Sequence, residues 1–412
     1  MVGVVRCCRA CAGKLGVIMA DLGMQPPSNA YVSADALTEE KRYPLRAKVC
    51  EECMLVQVDY DVDPKELFAD YAYFSSYSDQ WLEHARQYCR MARQRFALGP
   101  QSLVIELASN DGYLLKNFRE LGVPVLGIDP SVAVAAAAEK LGVPTLVEFF
   151  GETLAQTLAA RGRLADLIIG NNVLAQVPDL NDFVAGIALL LKPCGTVTIE
   201  FPHLLRLIEH VEFDTIYHEH YSYISLHAIE RVFNRHGLKL HDVEELPTHG
   251  GSLRIFASRA ARPGMQPSPA LAELRAREVA AGLTAGETYT RFAARVEECR
   301  RSVLAFFDLV KQQRKSVSAY GAAAKGNTLL NYCGLGRGDI ALVADRNPHK
   351  QSKLLPGSHI PVVSPERLMQ EKPDYVLILP WNLQQEIRTQ MSGIAAWGGQ
   401  FVTAIPLLRI YP

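Results

Sequence analysis

From about residue 102 the chain alternates short apolar runs with longer stretches whose apolar positions recur at helical spacing. SLVIELAS, VLGID, DLIIGNN and TVTIEF have the length and the Val, Ile and Leu content of strands. The segments between them predict helices from about Tyr113, over Val132 to Leu141 and over Asp179 to Leu191. Strand and helix in strict turn predict a parallel sheet carrying helices.

The pattern is different on either side. Residues 1 to about 65 hold cysteines, prolines and short apolar runs, and a helix is expected over SDQWLEHARQYCRMARQRF, about 79 to 97. RPGMQPSP, with three prolines in seven residues, ends the middle region. About 45 helical residues, Ala270 to Arg314, then lead to a second alternation: SVSAYG, a helix from about Asn327, DIALVAD, YVLILP and FVTAI. The fold class is α/β, with two open sheets in series and domains at 1–65, 66–262, 263–314 and 315–412.

A chain of 412 residues exceeds one ordinary core, in line with several domains. Lys+Arg 43 against Asp+Glu 44 leaves a net charge of −1, which excludes a general attraction to nucleic acid or to an anionic membrane. No apolar run approaches the roughly 20 residues that cross a bilayer, and MVGVVRCCRACAG lacks a signal-peptide pattern, so a cytoplasmic protein is expected.

Of nine cysteines, five fall within the first 53 residues. Cys8-x-x-Cys11 and Cys50-x-x-Cys53 form two knuckles, CRAC and CEEC, whose four thiolates suit tetrahedral Zn²⁺. Four protein ligands close the site, so the metal is structural. Cys7 is out of register with the pair.

LVIELASNDGYLL runs a strand into a turn of small and polar residues and then into a helix. In an open α/β sheet ligands sit beyond the carboxyl ends of the strands, so Glu106, Ala108, Asn110 and Gly112 are candidates for a nucleoside site. VLGIDPS ends a second strand on Asp129, placed for ribose hydroxyls, and GNNVLAQVPDL ends a third on Asn171 and Asn172. These strand ends could serve NAD as well. The turn is not GxGxxG, however, and a single adenosyl group suits it better than a dinucleotide.

Eight of eleven histidines lie between His203 and His249, and YHEHYSY, Tyr217 to Tyr223, is the densest cluster of proton-transferring side chains. In a regular strand Glu219 and His220 would face opposite sides. His218-x-His220 offers a metal two ligands but no evident third.

Together CRAC…CEEC, ELASNDGYLL, NNVLAQVPDL, YHEHYSY, HGGSLRIF and GAAAKGNTLLNY resemble the sugar C-methyltransferases of deoxysugar biosynthesis, in the family's order and over nearly the whole chain. The resemblance implies a zinc-binding domain, a class I methyltransferase domain and a Rossmann-like C-terminal domain. It implies S-adenosyl-L-methionine as cofactor and a nucleotide-linked 4-keto-deoxysugar as substrate, methylated at C3 or, alternatively, at C5. By position it makes His220 the base, with Tyr217 and Glu219 polarising or orienting and Tyr71 over the reacting centre, so YHEHYSY should be a loop or bulge. Gln176 departs from the histidine that related enzymes often carry there and could only hydrogen-bond the sugar.

AYGAAAKGNTLL, with Asp345 about twenty residues on, reads alone as a degenerate dinucleotide fingerprint and supports a nicotinamide-dependent sugar-nucleotide oxidoreductase. The resemblance turns it toward the substrate's diphosphate. Lys325, Asn327 and Tyr320 are then the candidates, joined by His249 and Arg254 of THGGSLRIF and, more weakly, by Asn382. A monomer or weak dimer is expected.

Overall fold

Val104–Leu107 and Val125–Ile128 are buried at every position, as strands covered on both faces must be. In the computed structural model, which describes residues 3–33, 40–68 and 75–412, they lie inside a seven-stranded sheet. Its order is Leu238–Leu246, Ser252–Arg259, Leu191–Pro202, Ala165–Asn171, Val104–Leu107, Val125–Ile128 and Thr145–Leu146. The last five are mutually parallel. The chain leaves Val104–Leu107 in one direction and returns on its other side at Ala165–Asn171, so a crevice opens beyond the carboxyl ends of these two strands.

The first two strands in that order are antiparallel additions that the parallel pattern did not predict. LKLHDVEEL and SLRIFASR are joined by a short PTHGG connection, too short for a crossover helix and long enough for a hairpin. The expected helical bridge is made of two helices, Pro269–Ala280 and Gly286–Gln312. Between them Gly282 takes φ 79° with the Thr288 hydroxyl against it.

The C-terminal sheet runs Val362–Val363, Val343–Ala344, Val317–Tyr320, Tyr375–Ile378, Gln400–Thr403 and Arg409–Tyr411, parallel except for the last strand. Its own crevice lies beyond Val317–Tyr320 and Tyr375–Ile378, where GAAAK and PWN emerge.

The N-terminal sheet is antiparallel: Leu15–Gln25, Tyr43–Cys50, Val56–Val58 and, from far along the chain, Ser222–Tyr223. This sheet, the Gly286–Gln312 helix and the C-terminal sheet share one apolar core, whereas Cys8, Cys50 and Cys53 belong to the core under the seven-stranded sheet, with Ile105 and Leu107. Among the described residues no helix is long and apolar enough to cross a membrane.

Candidate active site

Each cysteine knuckle repeats the same turn. The amides of Cys8 and Cys50 donate to the carbonyls of Gly13 and Leu55, and the residue after each second cysteine, Ala12 or Met54, is left-handed and donates back to the first. This folding brings the Sγ atoms of Cys8, Cys11, Cys50 and Cys53 within 4.8 Å of one another. The backbone N–H groups of Ala10, Gly13 and Glu52 point at the sulfurs of Cys8, Cys11 and Cys50, each at 3.4 Å, as thiolates require. The all-sulfur set fits Zn²⁺, and Cys7 stays exposed outside it.

Beyond Val104–Leu107, Ala108, Asn110 and Gly112 have φ of 55°, 49° and 76°, which curls the turn tightly. Asn172 and His249, at 54° and 55°, border the same crevice. Left-handed non-glycine residues cost about 1–3 kcal/mol each and collect at functional sites. Asp129 accepts from the amides of Asn110 and Ser131, both at 2.9 Å, so it braces the turn. Burial pushes its pKa up, against those two donors.

Glu106 is 1% exposed, and neither carboxylate oxygen meets a partner among the described residues. Burial first, then Asp129 and Asp111, push its pKa well above the ordinary value. An acceptor so placed has desolvation to recover from a ligand's donors. At Gly112 an added Cβ would sit 3.1 Å from Ala138 Cβ, so its missing side chain admits the Val132–Lys140 helix.

The amides of Ser75 and Ser76 donate to Asn110 Oδ1 (2.9 Å) and Asp111 Oδ2 (3.1 Å), drawing the start of the Asp79–Arg95 helix over the turn. Trp81 follows, stacked on His84 at 4.9 Å and edge-on to His249 at 5.2 Å. Tyr71, expected over the reacting centre, lies outside the described residues.

YHEHYSY opens as a turn, with the His220 amide donating to the Tyr217 carbonyl at 2.9 Å, and only Ser222–Tyr223 is strand. The turn breaks the alternation that would separate Glu219 from His220. His220 Nδ1 donates to the Thr215 carbonyl at 3.0 Å, and its ring lies 4.0 Å from that of Tyr217. Burial, with the charges of His249 and Lys325 nearby, takes its pKa down to about 4 against the Thr215 carbonyl. Glu219 Oε1 accepts from the Asn29 side chain at 3.0 Å, while Oε2 is buried without a partner among the described residues. His218 turns instead to the Pro44 carbonyl, 3.3 Å away. The Tyr221 amide donates to the Ala175 carbonyl at 2.8 Å, tying the segment to the loop that carries Gln176.

In the C-terminal crevice Lys325 donates to Asn382 at 2.9 Å and lies 4.8 Å over the Trp381 ring. Trp381 donates to Asp214 at 2.9 Å. Asp214 and Glu212 are almost wholly buried, and burial pushes each pKa up to about 7 even though Lys325 works against it. Asn327 donates to the Ser28 carbonyl at 2.6 Å and leaves its own Oδ1 buried and unpartnered. Gly321 and Gly326 fit packing rather than a pyrophosphate, since added Cβ atoms would meet Pro380 at 2.4 Å and Leu379 at 2.8 Å.

Two expected substrate residues sit elsewhere. Tyr320 points to the far side of its sheet, in the core with Leu342 and Val376. Arg254 is spent on Glu200 at 2.6 Å and Glu244 at 2.9 Å and covers the Tyr88 ring. His249 does reach the crevice, where its Nε2 accepts from Asn172 at 3.0 Å. Asn29, Trp81, Glu212, Asp214 and Trp381 were missed by sequence reasoning. Trp81 lies on a helix that the sequence does predict, which gives no sign that its ring faces a site; the others come from segments with no periodic signal, and only the PPSN and PWN turns could have drawn attention to two of them.

Three family profiles match the chain: a zinc binding domain at residues 8–68, a methyltransferase domain at 81–243 and a C-methyltransferase C-terminal domain at 247–406. The chain is 36% identical over 404 residues to the C-methyltransferase NovU of Streptomyces niveus, covering 98% of this chain and 96% of that protein. It is 28% identical over 160 residues to a ubiquinone biosynthesis O-methyltransferase of Rhodopseudomonas palustris (strain BisA53), covering 34% of this chain and 61% of that one. A magnesium protoporphyrin IX methyltransferase of Synechocystis PCC 6803, solved with S-adenosylmethionine, gives a TM-score of 0.35 at 15% identity, over 48% of this chain and 98% of its own.

Proposed function

The chain belongs to the S-adenosylmethionine-dependent C-methyltransferases, and from that premise we propose that it methylates a nucleotide-linked 4-keto-deoxysugar at the ring carbon beside the ketone, C3. The observation that carries this reading is the fixed tautomer of His220: a carbonyl can only accept, so the proton sits on Nδ1 and the lone pair on Nε2.

Forming a C–C bond beside a ketone requires a base for a weakly acidic C–H and donors at the ketone oxygen. His220 Nε2 takes the proton, the electron pair left behind moves onto the ketone oxygen, and the Tyr217 phenol donates to that oxygen. Glu219 orients the ring by accepting from a sugar hydroxyl, and Gln176 does the same from the facing loop. When bound, S-adenosylmethionine supplies an electrophilic methyl group to the carbon end of the enolate. Glu106 and Asp129, with Asn171 and Asn172 opposite, offer acceptors for its polar groups. Zn²⁺ on the four thiolates holds the N-terminal sheet in place and takes no part in the chemistry.

For the diphosphate, Lys325 stands in the first turn of the Ala324–Cys333 helix, which no side chain caps. Glu212 and Asp214, with pKa values near 7, are only partly ionised at neutral pH and do not cancel the ammonium. A cytoplasmic setting, which keeps thiols reduced, suits the zinc site.

Incubation in deuterated water with S-adenosylmethionine and a panel of dTDP-, UDP-, GDP- and CDP-linked 4-keto-6-deoxyhexoses tests this. Deuterium entry and methylation at C3 of one panel member are expected. Labelling at C5 would move the reaction to that carbon, and the absence of methyl transfer to every sugar would overturn the reading.

A further inference from the structure

One peptide unit of the N-terminal sheet's outgoing segment is wedged between the catalytic loop and the C-terminal helix. The Ser28 carbonyl accepts from Asn327 Nδ2 at 2.6 Å, and the Asn29 amide of the same peptide donates to Glu219 Oε1 at 3.2 Å. The Asn29 side chain adds a second donor to that oxygen at 3.0 Å. Two residues on, the Tyr31 hydroxyl donates to the Ala322 carbonyl, and Val32 pairs with Leu354. The segment therefore closes the sugar side of the cleft from a domain whose evident task is to hold a metal.

We propose that Asn29 is a positioning residue for methyl transfer: by holding Glu219 Oε1 it aims the unpartnered Oε2 at a sugar hydroxyl. This rests on the catalytic role given to Glu219 above.

Glu219 is 2% exposed, and burial raises its pKa. The forces recorded in the other direction are its own backbone and the donors from Asn29 and Ser28, with no cation among them. Among the described residues, the titratable groups whose charge couples to it are the phenols of Tyr31, two residues beyond Asn29, and of Tyr221 and Tyr223 on its own loop, all neutral across the working range. Its ionised form is therefore held by hydrogen bonds, two of them from the backbone and side chain of Asn29. A hydrogen bond to a charged group, once lost, moves the titration by about one to two pH units.

The experiment compares kcat/KM against pH for the unaltered chain, Asn29→Asp, Asn29→Ala and Glu219→Gln, using the panel sugar that is turned over. Asn29→Asp keeps the shape and sets a second carboxyl beside Glu219. Its acid limb should move up by at least about one pH unit, with the activity lost on the acid side recovered at higher pH. Asn29→Ala, which retains the backbone donor, should shift less. Glu219→Gln should lower activity and, combined with Asn29→Asp, show no such shift. An unmoved acid limb in Asn29→Asp, with activity reduced equally at every pH, would overturn the inference and leave the reading of the reaction intact. Full activity in Glu219→Gln would remove Glu219 from the reaction and overturn the inference, while the C-methylation itself, carried by His220, would stand.

Discussion

His220 Nδ1 donates to the carbonyl oxygen of Thr215 at 3.0 Å, and that single bond decides which ring nitrogen can act as a base. Burial, assisted by His249 and Lys325, holds the imidazole pKa down at about 4. A pKa lowered in the folded state means that the neutral base is lost only as pH falls through that value. The rate should therefore show no protonation step near the ordinary imidazole value of about 6.5 that disappears in a His220 variant. His220→Asn should lower kcat by about 10²- to 10⁴-fold while S-adenosylmethionine binding, followed by calorimetric titration, stays unchanged. A variant that retains turnover would remove His220 from the chemistry.

Much of this arrangement was legible because it is periodic or covalently local. The parallel strands announce themselves as apolar runs, and the two knuckles as cysteine spacing that only a metal explains. Glu219 and His220 could be drawn to one site only by overriding strand alternation, and the turn at Tyr217 supplies the reason. What stayed hidden depends on which elements meet. Asn29 and Glu219 are 190 positions apart, and Trp381 and Asp214 are 167 apart. Arg254 looked like an anion ligand because a sequence shows its charge and not the carboxylates of Glu200 and Glu244 that absorb it.

Glu212 and Asp214 should make the fold less stable as pH rises. Both carboxyls are pushed up to about 7 by burial, against Lys325, so between about pH 4 and 7 the folded chain binds more protons than the unfolded one. Stability contributed by keeping them neutral is present at low pH and is lost through that window, on the order of 4 kcal/mol for Asp214. Asp214→Asn keeps an acceptor for the Trp381 indole and should flatten the dependence. Its Tm should fall less between pH 5 and pH 8 than that of the unaltered chain, by scanning fluorimetry.

Glu106 should trade stability for affinity. Its carboxylate is buried with both oxygens unpartnered, a cost that a bound donor can repay. Glu106→Gln should leave Tm equal or higher in the free protein and weaken S-adenosylmethionine binding by about 10- to 100-fold, roughly 1.4–2.8 kcal/mol. An unchanged Kd would show that no ligand group reaches this carboxylate.

One Zn²⁺ per chain is expected by elemental analysis, retained in Cys7→Ser and lost in Cys50→Ser, because only Cys50 is within the four-sulfur cluster. Three of the four ligands also pack in the core under the seven-stranded sheet. Structural zinc carries apparent binding energies of about 10–16 kcal/mol in small domains. Cys50→Ser should therefore lower Tm by many degrees and lose methyl transfer with it, whereas Cys7→Ser should alter neither.

Arg254 separates a ligand from a scaffold charge. Arg254 is 3% exposed, its guanidinium bonded to Glu200 and Glu244 and laid 4.5 Å over the Tyr88 ring. Burial works to raise the pKa of Glu200, yet His84 and Arg254 hold it down at about 2. Glu200 also accepts from Thr248, immediately before His249, so the network fixes the hairpin that borders the crevice. Removing one partner of a buried pair costs about 3–5 kcal/mol, because the other charge is left stranded. Arg254→Met should thus lower Tm strongly and, at temperatures where it remains folded, leave the sugar-nucleotide KM within about threefold of the unaltered value, a change worth under about 0.7 kcal/mol. A direct diphosphate ligand would do the reverse, raising KM by an order of magnitude or more with Tm preserved, and steady-state kinetics beside thermal unfolding distinguish the two.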